Sequence, residues 1–349
     1  MNRRLILVIR IVVIGVIAAG LWWFVREMDF AKLGEALRSA KAWPLVLAAA
    51  LNFVCLWGKA VCWRIMLAPS HKVSVTRLFR YTIAAFAASA IAPARAGEVL
   101  RVWTLKRRDG VPAAETAAVA VAEKLLDGLS MLILVAPVPF LLHGLPSWVV
   151  TAIVACAAIA VAMFVGLFIA VGRVGRVDET AAPRTLIRRF LAGMHVLRNP
   201  KRLLGSLVLL ILVWSADLGE VMAVLYALDI DLPIAAGLLI LFTLNLTIAV
   251  PSTPAQVGAL EVGALAALDL LQVGHEKALA FALLYHALQV VPLIAAGLIL
   301  ELRLVLGRED EPPASVADAR LPPAKVVAAP PAPSASSGPV TPHPSHTRS

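Results

Sequence analysis

The chain has 349 residues, 60% of them hydrophobic and 15% charged, with a mean hydropathy of +0.85. A chain this apolar cannot bury enough of itself in water, which excludes a soluble enzyme, a secreted disulfide scaffold and a disordered regulator for its bulk. Lys and Arg number 32 against 22 Asp and Glu, a formal charge of +10; the basic residues flank apolar runs and so point to anionic lipid, not nucleic acid.

In chain order, Arg3 and Arg4 precede an apolar run over 5–25. It is too long for a signal-peptide core, contains Arg10 and lacks a small-residue cleavage site, so a retained first span is expected. Residues 26–42 mix four Lys/Arg with three acids and predict an interfacial helix. Further full spans are predicted over 43–63, 113–142, 147–172, 203–228 and 279–302. Segment 79–92 is short and stops at Pro93, with Arg95, Glu98 and Arg101 directly behind it. Segment 234–250 stops at Pro251 and Pro254, then resumes as a weakly apolar piece to about Leu271. Short apolar segments interrupted by Pro or Gly predict broken or re-entrant helices. From Gly307 on, ten of the 23 prolines gather with Ser, Ala and His, which predicts a disordered tail.

The loop 173–202 carries eight Lys/Arg and is placed in the cytoplasm; the 143–146 turn and Asp229-Ile230-Asp231 are placed outside. Propagating the spans puts both termini in the cytoplasm. At an offset of 161 residues the chain matches itself: Gly58 with Gly219, Leu67 with Leu228, Leu78 with Leu239 and Thr82 with Thr243. Pro93, Ala94 and Gly97 likewise fall on Pro254, Ala255 and Gly258. Each half, 43–142 and 204–302, then reads as span, broken hairpin, span, and the span count makes the halves inverted.

A charge at the centre of a spanning helix costs about 3 kcal/mol on insertion scales, so each asks for a partner or a purpose. Arg95, Gly97, Glu98 and Arg101 surround the first break, where Gly97 permits a tight backbone. Glu123, Lys124 and Asp127 follow on the next span, with Glu123 about 15 Å from its start near 113. Arginine and lysine beside carboxylates suit a phosphate-bearing headgroup. The plainer reading is that these charges pair and pin the hairpin, with Arg101 snorkelling to the interface. In the second half Gln256, Gly258 and Glu261 occupy the break, and Tyr285, His286 and Gln289 line the last span. Lys59 and Glu220 are equivalent under the offset and opposite in sign, which suggests partners across the pseudo-symmetry axis. Cys55, Cys62 and Cys156 have no metal or redox spacing, and no G-x-S-x-G, H-E-x-x-H, Walker or G-x-G-x-x-G motif occurs. No metal, no cofactor and no ATP site is expected.

Arg95-Ala-Gly97-Glu98-x-x-Arg101, Glu123-Lys124-x-x-Asp127, Pro251-x-x-Pro254-x-x-x-Gly258-x-x-Glu261 and Tyr285-His286 resemble the lysylphosphatidylglycerol synthase transmembrane-region family, a flippase-like membrane domain, over residues 5–305. The resemblance implies that Arg95, Glu98, Arg101, Glu123, Asp127, Pro251, Pro254, Gly258 and Glu261 occupy family positions. It also implies lipid movement between leaflets, and it places glycines after the second proline and an arginine after the tyrosine. This chain has Ala255, Gln256 and His286 there. The aminoacyl-transferase domain of fused relatives is not found.

The expected fold is therefore an all-α integral membrane bundle with an inverted internal repeat, six full spans and two broken hairpins over 1–306, followed by a disordered cytoplasmic tail over 307–349. The expected site comprises Arg95, Gly97, Glu98, Arg101, Glu123, Lys124, Asp127, Gln256, Gly258, Glu261, Tyr285 and His286. The expected function is translocation of a lipid with an anionic or phosphate-bearing headgroup, in a bacterial-type inner membrane. Partners stay open between a second copy of the chain and lipid-biosynthesis proteins. Two rivals are a membrane enzyme using Glu98 or Asp127 as general base and a scaffold recruiting through the Pro-rich tail.

Overall fold

The computed structural model describes residues 30–68, 70–91, 96–174, 190, 194, 199–249 and 254–305. The expected span 5–25, Arg95, most of the 173–202 loop and the tail lie outside the described residues. All regular elements among the described residues are helical: α1 (Phe30–Ser39), α2 (Ala42–Leu67), α3 (Val75–Ile91), α4 (Ala96–Asp109), α5 (Ala113–Val135), α6 (Val138–Leu141), α7 (Ser147–Val174), α8 (Pro200–Ala227), α9 (Ile234–Ile248), a 3-10 turn (Pro254–Gln256), α10 (Ala259–Leu270) and α11 (His275–Val305).

Four helices among the described residues are long and apolar enough to cross a membrane: α2, α7, α8 and α11. The chain is a multi-pass membrane protein. Helix α5 has 23 residues, about 34 Å of rise, and so the length to span, but it carries Glu115, Glu123, Lys124 and Asp127. It stops at Val135, not at 142. Pro137 has no N–H to continue the ladder, and the chain restarts as the four-residue α6. At the start of α8, the Asn199 side chain accepts from the N–H groups of Lys201 and Arg202, and Pro200 takes the first helical position.

Helices α2 and α8 form the central pair. They run antiparallel, because Gly58 faces Val213 while Gly219 faces Leu51. A Cβ at Gly58 would lie 2.5 Å from Val213 Cγ2, and one at Gly219 would lie 3.2 Å from Leu51 Cδ1, so the missing side chains set the closeness of the crossing. Two helical hairpins flank this pair, α3 with α4 and α9 with α10. Glycine closes each of them: Gly97 abuts the Ala85 carbonyl and Ser89, and Gly263 abuts Thr247 and the backbone of Thr243 and Leu244. Helix α5 packs on α8, α2, α4 and α9, and α11 packs on α2, α8, α10 and α3. Helix α7 rests on α5 and turns Val154, Ile159, Met163, Val165 and Phe168 outward, as lipid contact requires.

The helix ends gather at two polar faces. On one, Arg77 pairs with Asp109 at 2.5 Å, His71 meets Glu115 at 3.0 Å, and Arg202 donates to the Ala68 carbonyl. There Glu301 also takes Arg80 at 2.6 Å and Arg108 at 3.3 Å. On the other face, Lys41 pairs with Asp229, whose carboxylate holds the lysine above its usual pKa, and Lys277 donates to the Asp229 carbonyl at 2.9 Å. The amphipathic α1 docks at this second face, with Leu33, Ala36 and Leu37 packed on the helix core and Glu35 and Arg38 exposed.

Candidate functional site

Charged residues sit at these depths because α4 and α5 turn their polar residues towards each other and towards α2. Trp63 Nε1 of α2 donates to Glu123 Oε2 of α5 at 2.6 Å. Arg101 of α4 reaches the same oxygen at 3.4 Å, with its guanidinium 4.3 Å from the Trp63 ring centre. One turn along α5, Lys59 Nζ lies 3.1 Å from each oxygen of Asp127. Trp214 closes this side, its ring 5.7 Å from Lys59 and its indole N–H donating to the Asp127 carbonyl at 3.0 Å. Glu123 is 4% exposed and meets these partners away from solvent; stripping one partner from a buried pair costs about 3–5 kcal/mol.

On the outer side of the same helices, Lys124 stands 3.6 Å from Glu98 with both side chains half exposed, at 51% and 50%. Lys124 is eleven residues into α5, about 16 Å from its polar end. Exposed Val99 and Val121 stand beside the pair in sequence. Charges and lipid-facing apolar residues thus meet at membrane depth.

The second half builds its own polar centre at the start of α10. Glu261 accepts the Gly258 N–H at 2.7 Å, which caps α10, and pairs with His286 Nδ1 of α11 at 2.5 Å. His286 Nε2 lies 2.9 Å from the Ala255 carbonyl. The backbone there is unusual: Ala255 has φ 50°, Gln256 φ 64° and Gly258 φ 87°. Only glycine enters this left-handed region without strain. The glycines that the resemblance places after Pro254 therefore have a physical reason, and this chain holds two side chains in their place. The glutamate and histidine brace that turn from below.

An amide joins the halves. Asn52 Nδ2 of α2 donates to Gln289 Oε1 of α11 at 2.9 Å. Gln289 Nε2 in turn donates to Glu220 Oε2 of α8 at 3.2 Å and to the Tyr285 hydroxyl at 3.1 Å.

The structure thus places Arg101, Glu123 and Asp127 in one buried network, Glu98 and Lys124 on its exposed flank, and Gly258, Glu261 and His286 in a second centre. Tyr285 belongs to the bridge, the Gln256 side chain is exposed, Gly97 serves hairpin closure, and Arg95 lies outside the described residues. Two expectations are corrected. Arg101 does not snorkel, because α4 is a hairpin arm pressed against α5 and turns this arginine inward. Lys59 does not meet Glu220. Antiparallel helices carry equivalent near-terminal positions to opposite ends, so the two are offset by about 12 Å along the crossing.

Sequence reasoning missed Trp63, Asn52 and Asp217. Asp217 had a signal, an acid three residues before Glu220 inside an apolar span. Trp63 and Asn52 had none, because an indole or an amide in a span reads as packing. Among the described residues no group of His, Cys, Asp and Glu could hold a metal ion.

No curated protein matches the sequence. The model of one family does match, over residues 7–297, nearly the whole membrane body and both polar centres. Its description is the lysylphosphatidylglycerol synthase TM region, and the chain belongs to that family.

Proposed function

We propose that the chain is a lipid translocase that moves a phosphate-bearing headgroup across the bilayer while the tails stay in oil. The observation that carries this reading is the half-exposed Glu98–Lys124 pair about 16 Å into the membrane body, one residue from the buried Glu123 network. The Lys124 side chain, 51% exposed beside exposed valines, suits water or a polar ligand around it. A headgroup arriving from the side meets the Lys124 ammonium, and displacing Glu98 exchanges one anion for another. Arg95 is proposed as the second phosphate contact.

Packing supports an inverted repeat under this reading. The first spans α2 and α8 cross antiparallel at the equivalent glycines Gly58 and Gly219. Each closing helix packs on the other half's first hairpin arm, α11 on α3 and α5 on α9. A two-fold axis in the membrane plane produces this exchange, and rocking about it would present the site to alternate leaflets. The face bearing Arg77, Arg80, Arg108 and Arg202 is assigned to the cytoplasm by its basic excess, and the membrane to a bacterial-type inner membrane.

The test is leaflet exchange of fluorescent phosphatidylglycerol in vesicles of phosphatidylethanolamine and phosphatidylglycerol carrying the purified full chain. Wild-type protein should accelerate exchange. Lys124→Gln should slow it about tenfold or more, the worth of one charge-assisted contact. Exchange no faster than in protein-free vesicles would overturn the reading, and product formation from the lipid would favour an enzyme.

A further inference from the structure

Among the described residues the charges at membrane depth do not balance. Arg101 answers Glu123 and Lys59 answers Asp127, but Asp217 and Glu220 on α8 remain. Glu220 is 0% exposed. One carboxyl oxygen accepts the Gln289 amide at 3.2 Å, and the other, Oε1, has no hydrogen-bond partner among the described residues. No cation pairs with Glu220 among the described residues. An ionised carboxylate in this position would carry an uncompensated charge and an unsatisfied acceptor, both expensive in a dry interior. Carrying a proton removes the charge and turns the unpartnered oxygen into a hydroxyl.

Each neighbouring helix brings groups towards Glu220. Asp217 lies one turn away on α8 itself, α2 presents Asn52 and Cys55, and α11 presents Tyr285 and Gln289, while Lys59 of α2 and its partner Asp127 of α5 lie further along the crossing, beyond Asp217. Asp217 stands on α8 midway between Glu220, three residues on, and Trp214, three residues back, whose ring lies 5.7 Å from Lys59 and whose indole N–H donates to the Asp127 carbonyl at 3.0 Å. Glu220, Asp217, Asp127 and Glu123 therefore form a broken line of carboxyls. It runs from about 10 Å inside the end of α8 at Ala227 to about 15 Å inside the opposite face at the start of α5. Under the 161-residue offset Glu220 replaces Lys59, and the position of Asp127 falls to apolar Leu288. One half has a salt bridge where the other keeps a single acid.

We infer that Glu220 is a proton-binding site, loaded from one face and emptied towards the other along Asp217 and Asp127, which ties the lipid step to the transmembrane proton gradient. This rests on the translocase reading for its coupling but not for its protonation, and two measurements on the purified full chain separate them. The first is infrared difference spectroscopy in the carboxylic-acid carbonyl region, in lipid nanodiscs and without transport. Wild type should show a protonated-acid band that shifts in deuterium oxide and is missing in Glu220→Gln, whose amide mimics the neutral acid and preserves the fold. A band identical in both proteins overturns the site.

The second is the leaflet exchange of fluorescent phosphatidylglycerol under an imposed gradient of one pH unit. One proton per lipid should bias the wild-type distribution up to about tenfold, an effect abolished by a protonophore. In Glu220→Gln exchange should persist without that bias. A bias equal to wild type in the variant, or none in an exchanging wild type, overturns the coupling. A wild type that exchanges no lipid refutes the translocase, and the infrared band alone then decides the proton site.

Discussion

At the scale of single residues, the turn before α10 shows how strain and chemistry are traded. Ala255 and Gln256 hold left-handed backbone angles that cost roughly 1 kcal/mol or more each for a residue with a Cβ. Replacing either by glycine should raise the thermal midpoint of the detergent-solubilised protein, with a gain of up to about 1 kcal/mol per site. The brace beneath predicts the reverse. Glu261→Ala removes the acceptor for Gly258 N–H and the partner of His286, and should cost about 2–4 kcal/mol in the same unfolding measurement. A midpoint unchanged by Glu261→Ala would show that the second hairpin is held by packing alone.

Not all of this was legible in the chain. Ionisable residues inside apolar runs announce themselves, which is why Glu98, Arg101, Glu123, Asp127, Glu261 and His286 could be singled out. Their partners could not, because sequence gives depth along a helix but not the direction a side chain faces. Trp63 and Glu123 are 60 residues apart, Lys59 and Asp127 68, and nothing local joins them. The guess that Lys59 meets Glu220 used complementary sign and ignored the antiparallel crossing that separates them.

At the scale of elements, punctuation was the readable part. Pro93, Pro251 and Pro254 marked where the hairpins break, and the helices stop near them. The same rule was overlooked at Pro137, where a span carried on to 142 in fact ends at Val135. The hairpins themselves depend on close approach. A Cβ at Gly97 would collide with the Ala85 carbonyl, which is backbone and cannot swing aside. Gly97→Val should therefore splay α3 from α4 and abolish the Arg101–Glu123 pairing, read as loss of the folded peak in size-exclusion chromatography. By contrast Gly128→Ala, with nothing near its Cβ position, should leave that peak unchanged. Gly58→Leu drives a side chain into Val213 at the central crossing and should cost about 1–3 kcal/mol through overpacking.

At the scale of the whole molecule, two faces of ion pairs fix which helix ends share a side. Lys72 lies with the Arg77, Arg80 and Arg108 face, and His143 with the ends of α5 and α6 at the other. A membrane-impermeant maleimide should label His143→Cys in intact cells and Lys72→Cys only after lysis. The native cysteines interfere little, since Cys55 and Cys62 are buried and Cys156 is half-buried. Labelling of both variants from one side would break the assignment. The opposite result for each would keep the fold and invert its orientation.

The crossing of α2 on α8 bears on which cargoes the proposed translocase could tell apart. Where Gly58 meets Val213 and Gly219 meets Leu51, the two backbones come too near for a hydrocarbon tail to thread between them. On the proposed translocase reading, fatty chains would stay outside this crossing, at the perimeter of the helices. Selection would then fall wholly on the part of the molecule that is wet, and lipids sharing a head but differing in chain length or unsaturation should be carried at the same speed.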